Sequence, residues 1–231
     1  VPIKSVEQQD IQCLHRIRER YITSRIGLIN QTRGLLAEYG IVAPKGHKAF
    51  FALLREVAST ENSVISPLLK IQLHQVIEEY CWHSDRINEI QITLTDIANT
   101  NPLSQLLLSI PGIGVINATL IYSAIGNGSQ FKNAREFAVW LGLTPKQASS
   151  GDTFKSGGIT KRGNRHLRKQ LVHGARAALT RCRNKTDKVS LWANQLVARR
   201  GYNKACVALA ARMARTCWVL LNKRETYKVA C

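Results

Sequence analysis

Residues 67–98 read PLLKIQLHQVIEEYCWHSDRINEIQITLTDIA, a stretch with a proline in its opening turn and no glycine. Within it Leu69, Leu73, Val76, Tyr80, His83, Ile87, Ile90, Leu94 and Ile97 alternate spacings of four and three, and eight of these nine side chains are apolar. That is the seam of a coiled coil over about four heptads. A second copy of the chain, or the chain's own first helix packed antiparallel, would each cover such a stripe, and both partners stay open. Upstream, residues 1–4 read as the end of a strand, and Ser5 caps a helix with Glu7 and Gln8 in its first turn. That helix carries Ile11, Leu14, Ile17, Tyr21, Ile22, Leu28, Ile29, Leu35 and Leu36 and ends at Gly40 and Pro44, before a short helix at 49–57. Downstream, Asn99-Thr100-Asn101-Pro102 breaks the long helix and marks a domain boundary. Short helices follow, then a Gly/Ser/Thr-rich loop at 144–160 with room for one small hairpin, and basic helices at 164–183, 188–199 and 203–221. The expected fold is mainly α. Its divisions are a helical segment at 1–60, a coiled coil at 61–98 and a basic helical domain at 99–231.

The 231 residues carry 33 Lys and Arg against 15 Asp and Glu, a formal net charge of +18. The excess is confined to one half: residues 1–97 hold 11 basic and 11 acidic side chains, and residues 98–231 hold 22 and 4. A charge of this size speaks of partners rather than fold, and the partners it favours are nucleic acid or an anionic membrane surface. Residues 97–131 are free of charge, but Asn99, Asn101, Pro102, Pro111, Gly112, Gly114 and Asn117 interrupt the apolar run. A span needs about 20 continuous apolar residues, so the stretch reads as buried structure and no membrane partner is expected. Cys13, Cys81, Cys182, Cys206, Cys217 and Cys231 show no close pairing, which excludes a zinc knuckle and a dense disulfide scaffold and fits reduced thiols in the cytosol. The single methionine is Met213 and the chain opens Val1-Pro2-Ile3, so a missing N-terminal part is expected.

Two constellations carry chemistry. In the first, Pro111-Gly112-Ile113-Gly114 joins two apolar helices in the manner of a helix-hairpin-helix. Such a turn leaves amides free at the second helix's N-terminus, where the helix dipole favours phosphate. Pro111, Gly112 and Gly114 are thus nucleic-acid contacts, or else the tight corner is a packing device, since glycine alone tolerates φ > 0 and close backbone approach. In the second, ten Lys and Arg and no acid stand between Asp152 and Asp187. A solvated helix face would intersperse acids for i,i+4 support, so the counterions are expected to be phosphates. Lys155, Lys161, Arg162, Arg165, Arg168 and Lys169 are the expected contacts. Asn164 joins them either as a contact or only as the cap of the helix it opens. Just upstream, Ser149-Ser150-Gly151 sets hydroxyls on a glycine-flanked loop facing these cations. A serine there attacks a phosphodiester if the field stabilises its alkoxide, or else only hydrogen-bonds phosphate or backbone. His166 and His173 lack a Cys, Asp or Glu at ligand spacing, so no metal is expected in this chain. Trp140, Trp192 and Trp218 are expected in the core.

Pro111-Gly112-Ile113-Gly114, Phe131 to Pro145, Ser149-Ser150-Gly151 and Lys161-Arg162-Gly163-Asn164-Arg165-His166-Leu167-Arg168 occur in one order. Over about residues 104–190 this resembles the C-terminal domain of the insertion-sequence one-ten family of transposases, DEDD-type DNA recombinases guided by a bridge RNA. The first 60 residues resemble the tail of that family's RuvC-like domain. The resemblance implies a bacterial, nucleoid-associated enzyme whose partners are DNA and a guide RNA, oligomeric through its coiled coil. It also implies a serine nucleophile that forms a phosphoserine link to DNA; Ser150 matches its position before a glycine, with Ser149 as the fallback. Mg²⁺ is implied as cofactor, on an Asp-Glu-Asp-Asp set that lies upstream of the segment resembling Val1 to Ser5. Glu7 and Asp10 follow that segment, so no residue here is assigned to the set. The alternative is a module that binds polynucleotide backbone without cutting it.

Overall fold

A computed structural model describes residues 3–60, 64–150 and 153–228, with the side chains of 149, 150 and 153–156 left aside. Among the described residues the chain forms α1 (Val6–Glu38), α2 (His47–Ser59), α3 (Pro67–Thr100), α4 (Pro102–Leu108), α5 (Val115–Ile125), α6 (Ala134–Trp140), β1 (Pro145–Ser150), β2 (Thr153–Ile159), α7 (Arg165–Cys182), α8 (Lys188–Arg200) and α9 (Tyr202–Lys223). The protein is mainly α, as its periodicity predicts. Ile3 and Lys4 are not in a strand: Ile3 is exposed, and the described residues offer no neighbouring strand to pair with. The chain divides into two units, one of Val1–Gln12 with Leu94–Cys231, the other of Cys13–Thr93.

In the unit Cys13–Thr93, the apolar stripe of α3 meets helices of the same chain. Phe50, Leu54, Val57 and Ala58 lie on one face of α2 and are buried, as expected for residues recurring at helical spacing. They share a core with Ile29 and Leu36 of α1 and Leu73 of α3, against which Leu69, Val76 and Tyr80 pack. Tyr21 meets Trp82 edge-on with centroids 5.4 Å apart, and Arg25 Nη1 donates to Ser84 Oγ at 3.1 Å. His83, the polar member of the seam, is buried with its Nε2 3.4 Å from Glu79.

In the other unit α5 is central, with eight of its eleven residues buried. A helix so apolar on every side has to be enclosed, and α4 and α7 pack against it. The start of α1 closes its end: Gln8 Nε2 donates to Tyr122 O at 3.1 Å and Gln12 Nε2 to Ser123 O at 2.7 Å. Ser123 O is a carbonyl that the last turn of a helix leaves open, whereas Tyr122 O also accepts from Gly126 N at 2.8 Å. Helix α9 is long and apolar enough to cross a membrane by length and composition. Here it is a core helix, burying Leu209, Met213, Cys217 and Leu221 against α6, α7 and α8. Trp218 donates from Nε1 to Gly128 O at 2.9 Å, and Trp192 packs on the same core. Trp140 stays partly exposed and stacks on Phe137 at 6.0 Å.

The turn between α4 and α5 is locked onto α7 by two glycines. Gly112 has φ +89°, and a Cβ there would lie 2.6 Å from Gly174 O and 2.9 Å from Ala178 Cβ and Met213 Cε. A Cβ on Gly174 would in turn collide with Gly112 O and lie 2.8 Å from Asn117 Nδ2. Alanine ordinarily favours a helix interior over glycine by about 1 kcal/mol, yet Gly174→Ala is expected to destabilise by about 2 kcal/mol through overpacking against backbone. Thermal melting should show a loss of roughly 4–8 °C for a chain of this size; a rise would show that the two backbones are not in contact.

Helix α8 is started by Asp187, whose carboxylate accepts from Ser190 Oγ at 2.6 Å and from the amides of Val189 and Ser190 at 3.1 and 3.0 Å. The Ser190 hydroxyl, then its amide, hold the Asp187 carboxyl below its ordinary range. A depressed folded-state pKa gives stability that is present above the unfolded value, about 3.9, and lost as pH falls through the folded one. Asp187→Ala is expected to cost about 1 kcal/mol at pH 7. In melting curves taken against pH, the gap between parent and variant should narrow below about pH 4; a gap constant down to pH 2 would remove the carboxylate from the account.

Candidate nucleic-acid interface

The loop expected at 144–160 is an antiparallel hairpin, with Pro145 opposite Ile159, Gln147 opposite Ser156 and an irregularity between Pro145 and Gln147. Its feet are bound together by backbone. Lys161 N donates to Gly142 O at 3.1 Å and Thr160 N to Thr144 O at 2.9 Å. Gly142 and Gly163 have φ of +68° and +81°. A Cβ on Gly142 would strike the backbone of Arg162, and one on Gly163 would strike the carbonyl of Trp140. Only glycine permits both the left-handed conformation and so close a crossing.

Helix α7 begins at this crossing. Asn164 caps it, Oδ1 accepting from Leu167 N at 3.0 Å, so the cap role read from the sequence is observed. One turn on, Arg168 Nη1 donates to Leu141 O at 2.9 Å and Arg162 O at 3.0 Å. A single guanidinium nitrogen thus ties both feet of the hairpin to the helix, and Arg168, expected as a phosphate contact, spends that nitrogen on carbonyls. The buried face of α7 carries Leu167, Leu171, Gly174, Ala175 and Ala178. The opposite face carries Arg165, Lys169, His173 and Arg176, all exposed, with Lys161 and Arg162 exposed before the helix starts. Of the expected cations, Arg165 and Lys169 are thus on one face of α7, with Lys161 and Arg162 in the segment that leads into it.

In the backbone, Ser149 and Ser150 lie at the far end of the hairpin from these feet. Ser149 is opposite Phe154 and Ser150 opposite Thr153 in the backbone register, and Lys155 is opposite Ala148. The side chains of Ser149, Ser150 and Lys155 lie outside the described residues, as do Gly151 and Asp152.

In the Pro111–Gly114 turn the two readings divide between the glycines. Gly112 packs against α7, whereas Pro111 and Gly114 are exposed. Gly114 is the N-cap of α5 with φ −99° and ψ −176°, and no side chain caps the helix there. The first amides of α5 are thus left to an outside acceptor, which the dipole favours as an anion. Both the turn and the hairpin feet are fastened to α7, at Gly174 and Arg168, six residues or about 9 Å apart along its axis.

Among the described residues no group of three or more His, Cys, Asp or Glu gathers where it could hold a metal ion. Five described cysteines are unpaired, and burial pushes the Cys217 thiol up to about 12, which removes it as a nucleophile. Sequence reasoning missed Arg168 as a tie and Gly142 and Gly174 as contacts. The first had no signal in the sequence; the glycines had one, Gly142 as a lone glycine after an apolar run and Gly174 as a lone glycine inside a helical pattern.

Residues 104–190 match the Transposase IS116/IS110/IS902 family. The chain is 43% identical, over 97% of its length, to the transposase for insertion sequence element IS1111A of Coxiella burnetii, of which it covers 62%. It is 39% identical over 99% of its length to a probable family 20 transposase of Pseudomonas aeruginosa, covering 68% of that protein. Over 97% of its length it is 32% identical to the transposase for insertion sequence element IS1328 of Yersinia enterocolitica, covering 66%. The chain thus spans about two thirds of the length of these relatives, and the likeness runs through both of its units. Matched by that family over residues 104–190, and 39% identical to a transposase of which it covers 68%, this chain belongs to the IS116/IS110/IS902 family of transposases.

Proposed function

We propose that this chain is the phosphate-holding part of a DNA transposase that cuts and rejoins strands through Ser150. The observation that carries the reading is the acid-free cationic face of α7, fixed beside the hairpin that bears Ser149 and Ser150 on its far end. In the proposed reaction Ser150 Oγ attacks a backbone phosphorus, a phosphoserine ester forms, and the bond to one sugar hydroxyl breaks. The hydroxyl leaves with its proton restored, and a hydroxyl of the receiving strand later displaces the serine. One phosphodiester is exchanged for another without an external energy source. Lys161, Arg162 and Arg165, at the feet of the hairpin, would hold flanking phosphates of the same strand. The exposed start of α5 would hold backbone nearby. A guide RNA is the second polynucleotide that this surface serves in the proposal.

Binding to duplex DNA should weaken steeply with salt. With about five phosphates neutralised, affinity falls roughly several hundred-fold between 50 and 200 mM salt, and each of Arg165→Ala and Arg162→Ala lowers the slope by about 0.9. In an intact transposase carrying this chain, Ser150→Ala should abolish the covalent protein–DNA adduct formed on a suicide substrate and leave DNA affinity unchanged. An adduct that survives the substitution overturns Ser150. An intact parent enzyme that binds and forms no adduct leaves the chain as a backbone-binding module.

A further inference from the structure

On the face where the Pro111–Gly114 turn meets α7 and α9 lies a cavity of about 560 Å³. That is within the size range of sites that enclose a small organic ligand. Its floor is apolar, built from Ile110, Ile113, Ala178, Leu209 and Met213, and its rim is cationic, with Arg181, Lys185 and Arg212. The Arg212 guanidinium lies 5.3 Å over the Trp192 ring. Among the described residues no carboxylate is within salt-bridge distance of any of the three. The one acid on the lining, Asp187, is engaged by Ser190 and by the amides that start α8. Tyr227 supplies an aromatic wall, held by its amide donating to Ser109 Oγ at 2.9 Å. Gly114, where α5 begins without a side-chain cap, also lines the cavity.

An apolar floor, an aromatic wall and a rim of three cations fit a ligand that is flat and apolar at one end and anionic at the other. We infer that this cavity receives a single unstacked nucleotide of a bound strand. The base would lie on the floor against Tyr227, and its phosphate would lie among Arg181, Lys185, Arg212 and the amides that start α5. The inference rests on the phosphate-holding function proposed above and adds to it a place where a base leaves the stack. Taking a base out of a paired duplex costs a few kcal/mol, and the cost is smallest for one already unpaired. Contact with an aromatic face recovers part of it whatever the base.

The test uses the full chain and short duplexes of three kinds: continuous, with one bulged nucleotide, and with the same bulge made abasic. The bulged duplex should bind about tenfold more tightly than either of the others. Ala177 is exposed on the cavity wall. Ala177→Trp should fill the space and erase the preference, with affinity for continuous duplex held within about twofold. Arg212→Gln, which leaves the space open, should reduce the preference without abolishing it, and melting curves confirm that both variants fold. A preference for the bulge in either DNA or RNA supports the inference and names the strand. Equal binding of the three duplexes, or a preference that survives Ala177→Trp, overturns it while the proposed function stands. Saturation by a free nucleoside monophosphate as readily as by the bulge assigns the cavity to free nucleotides and also overturns it. Absence of salt-dependent binding to any duplex removes the function and the inference together.

Discussion

A guanidinium nitrogen shared between two carbonyls is the constraint on which the interface depends. Arg168 reaches from α7 to Leu141 O and Arg162 O, which belong to the two ends of the segment that makes the hairpin. A charged donor makes a hydrogen bond worth about 1.5–3 kcal/mol, and these two bonds close a loop of some twenty residues. Beside the tie, the backbone bonds of Thr160 and Lys161 and the pairing of Pro145 with Ile159 hold the feet. With it, the exposed Lys161 and Arg162 are held against the start of the helix that carries Arg165 and Lys169. Arginine suits the place because one NH₂ of its planar guanidinium aims two N–H bonds in fixed directions, one at each carbonyl; lysine offers a flexible point charge.

Helix α7 divides its labour by face. Leu167, Leu171, Ala175 and Ala178 bury themselves in the core of the larger unit, and that burial fixes the helix rigidly enough to present a row of like charges. Such a row repels itself, and no Asp or Glu stands between Asp152 and Asp187 in the sequence. The same repulsion becomes a binding term once phosphates are present, because each neutralised phosphate releases condensed counterions. Gly174 lets the turn at Gly112 approach the helix backbone, so that a second anion-directed feature, the uncapped start of α5, is referred to the same rigid body.

Much of this was legible in the sequence. The 3.6-residue periodicity, the break at Asn101-Pro102 and the cap at Asn164 are local properties, and local properties are what residue types report. The confinement of the charge to residues 98–231 was equally plain. What the sequence left open were pairings at long range. The stripe Leu69 to Ile97 looks the same whether a second copy or the chain's own helices cover it, and the core shows α1 and α2 meeting its Leu69-to-Tyr80 part. Arg168 reads as one more cation in a run of ten, and only the position of Leu141, 27 residues away, gives its nitrogen another use. Gly112 invited a phosphate-binding reading because that turn needs glycine; its neighbour across the core, Gly174, needs it for a reason invisible in either segment alone.

The central claim is that Arg168 acts as a tie for the hairpin feet, and amide hydrogen exchange at Thr160 and Lys161 in an Arg168→Lys chain tests it most directly. If the guanidinium bridges the two carbonyls, those two amides should exchange at least tenfold faster in the substituted chain, a change of about 1.4 kcal/mol in local opening. Amides in the middle of α9 should keep their protection. Unchanged exchange at Thr160 and Lys161 would contradict the account, because the feet would then be held by something other than the side chain placed across them.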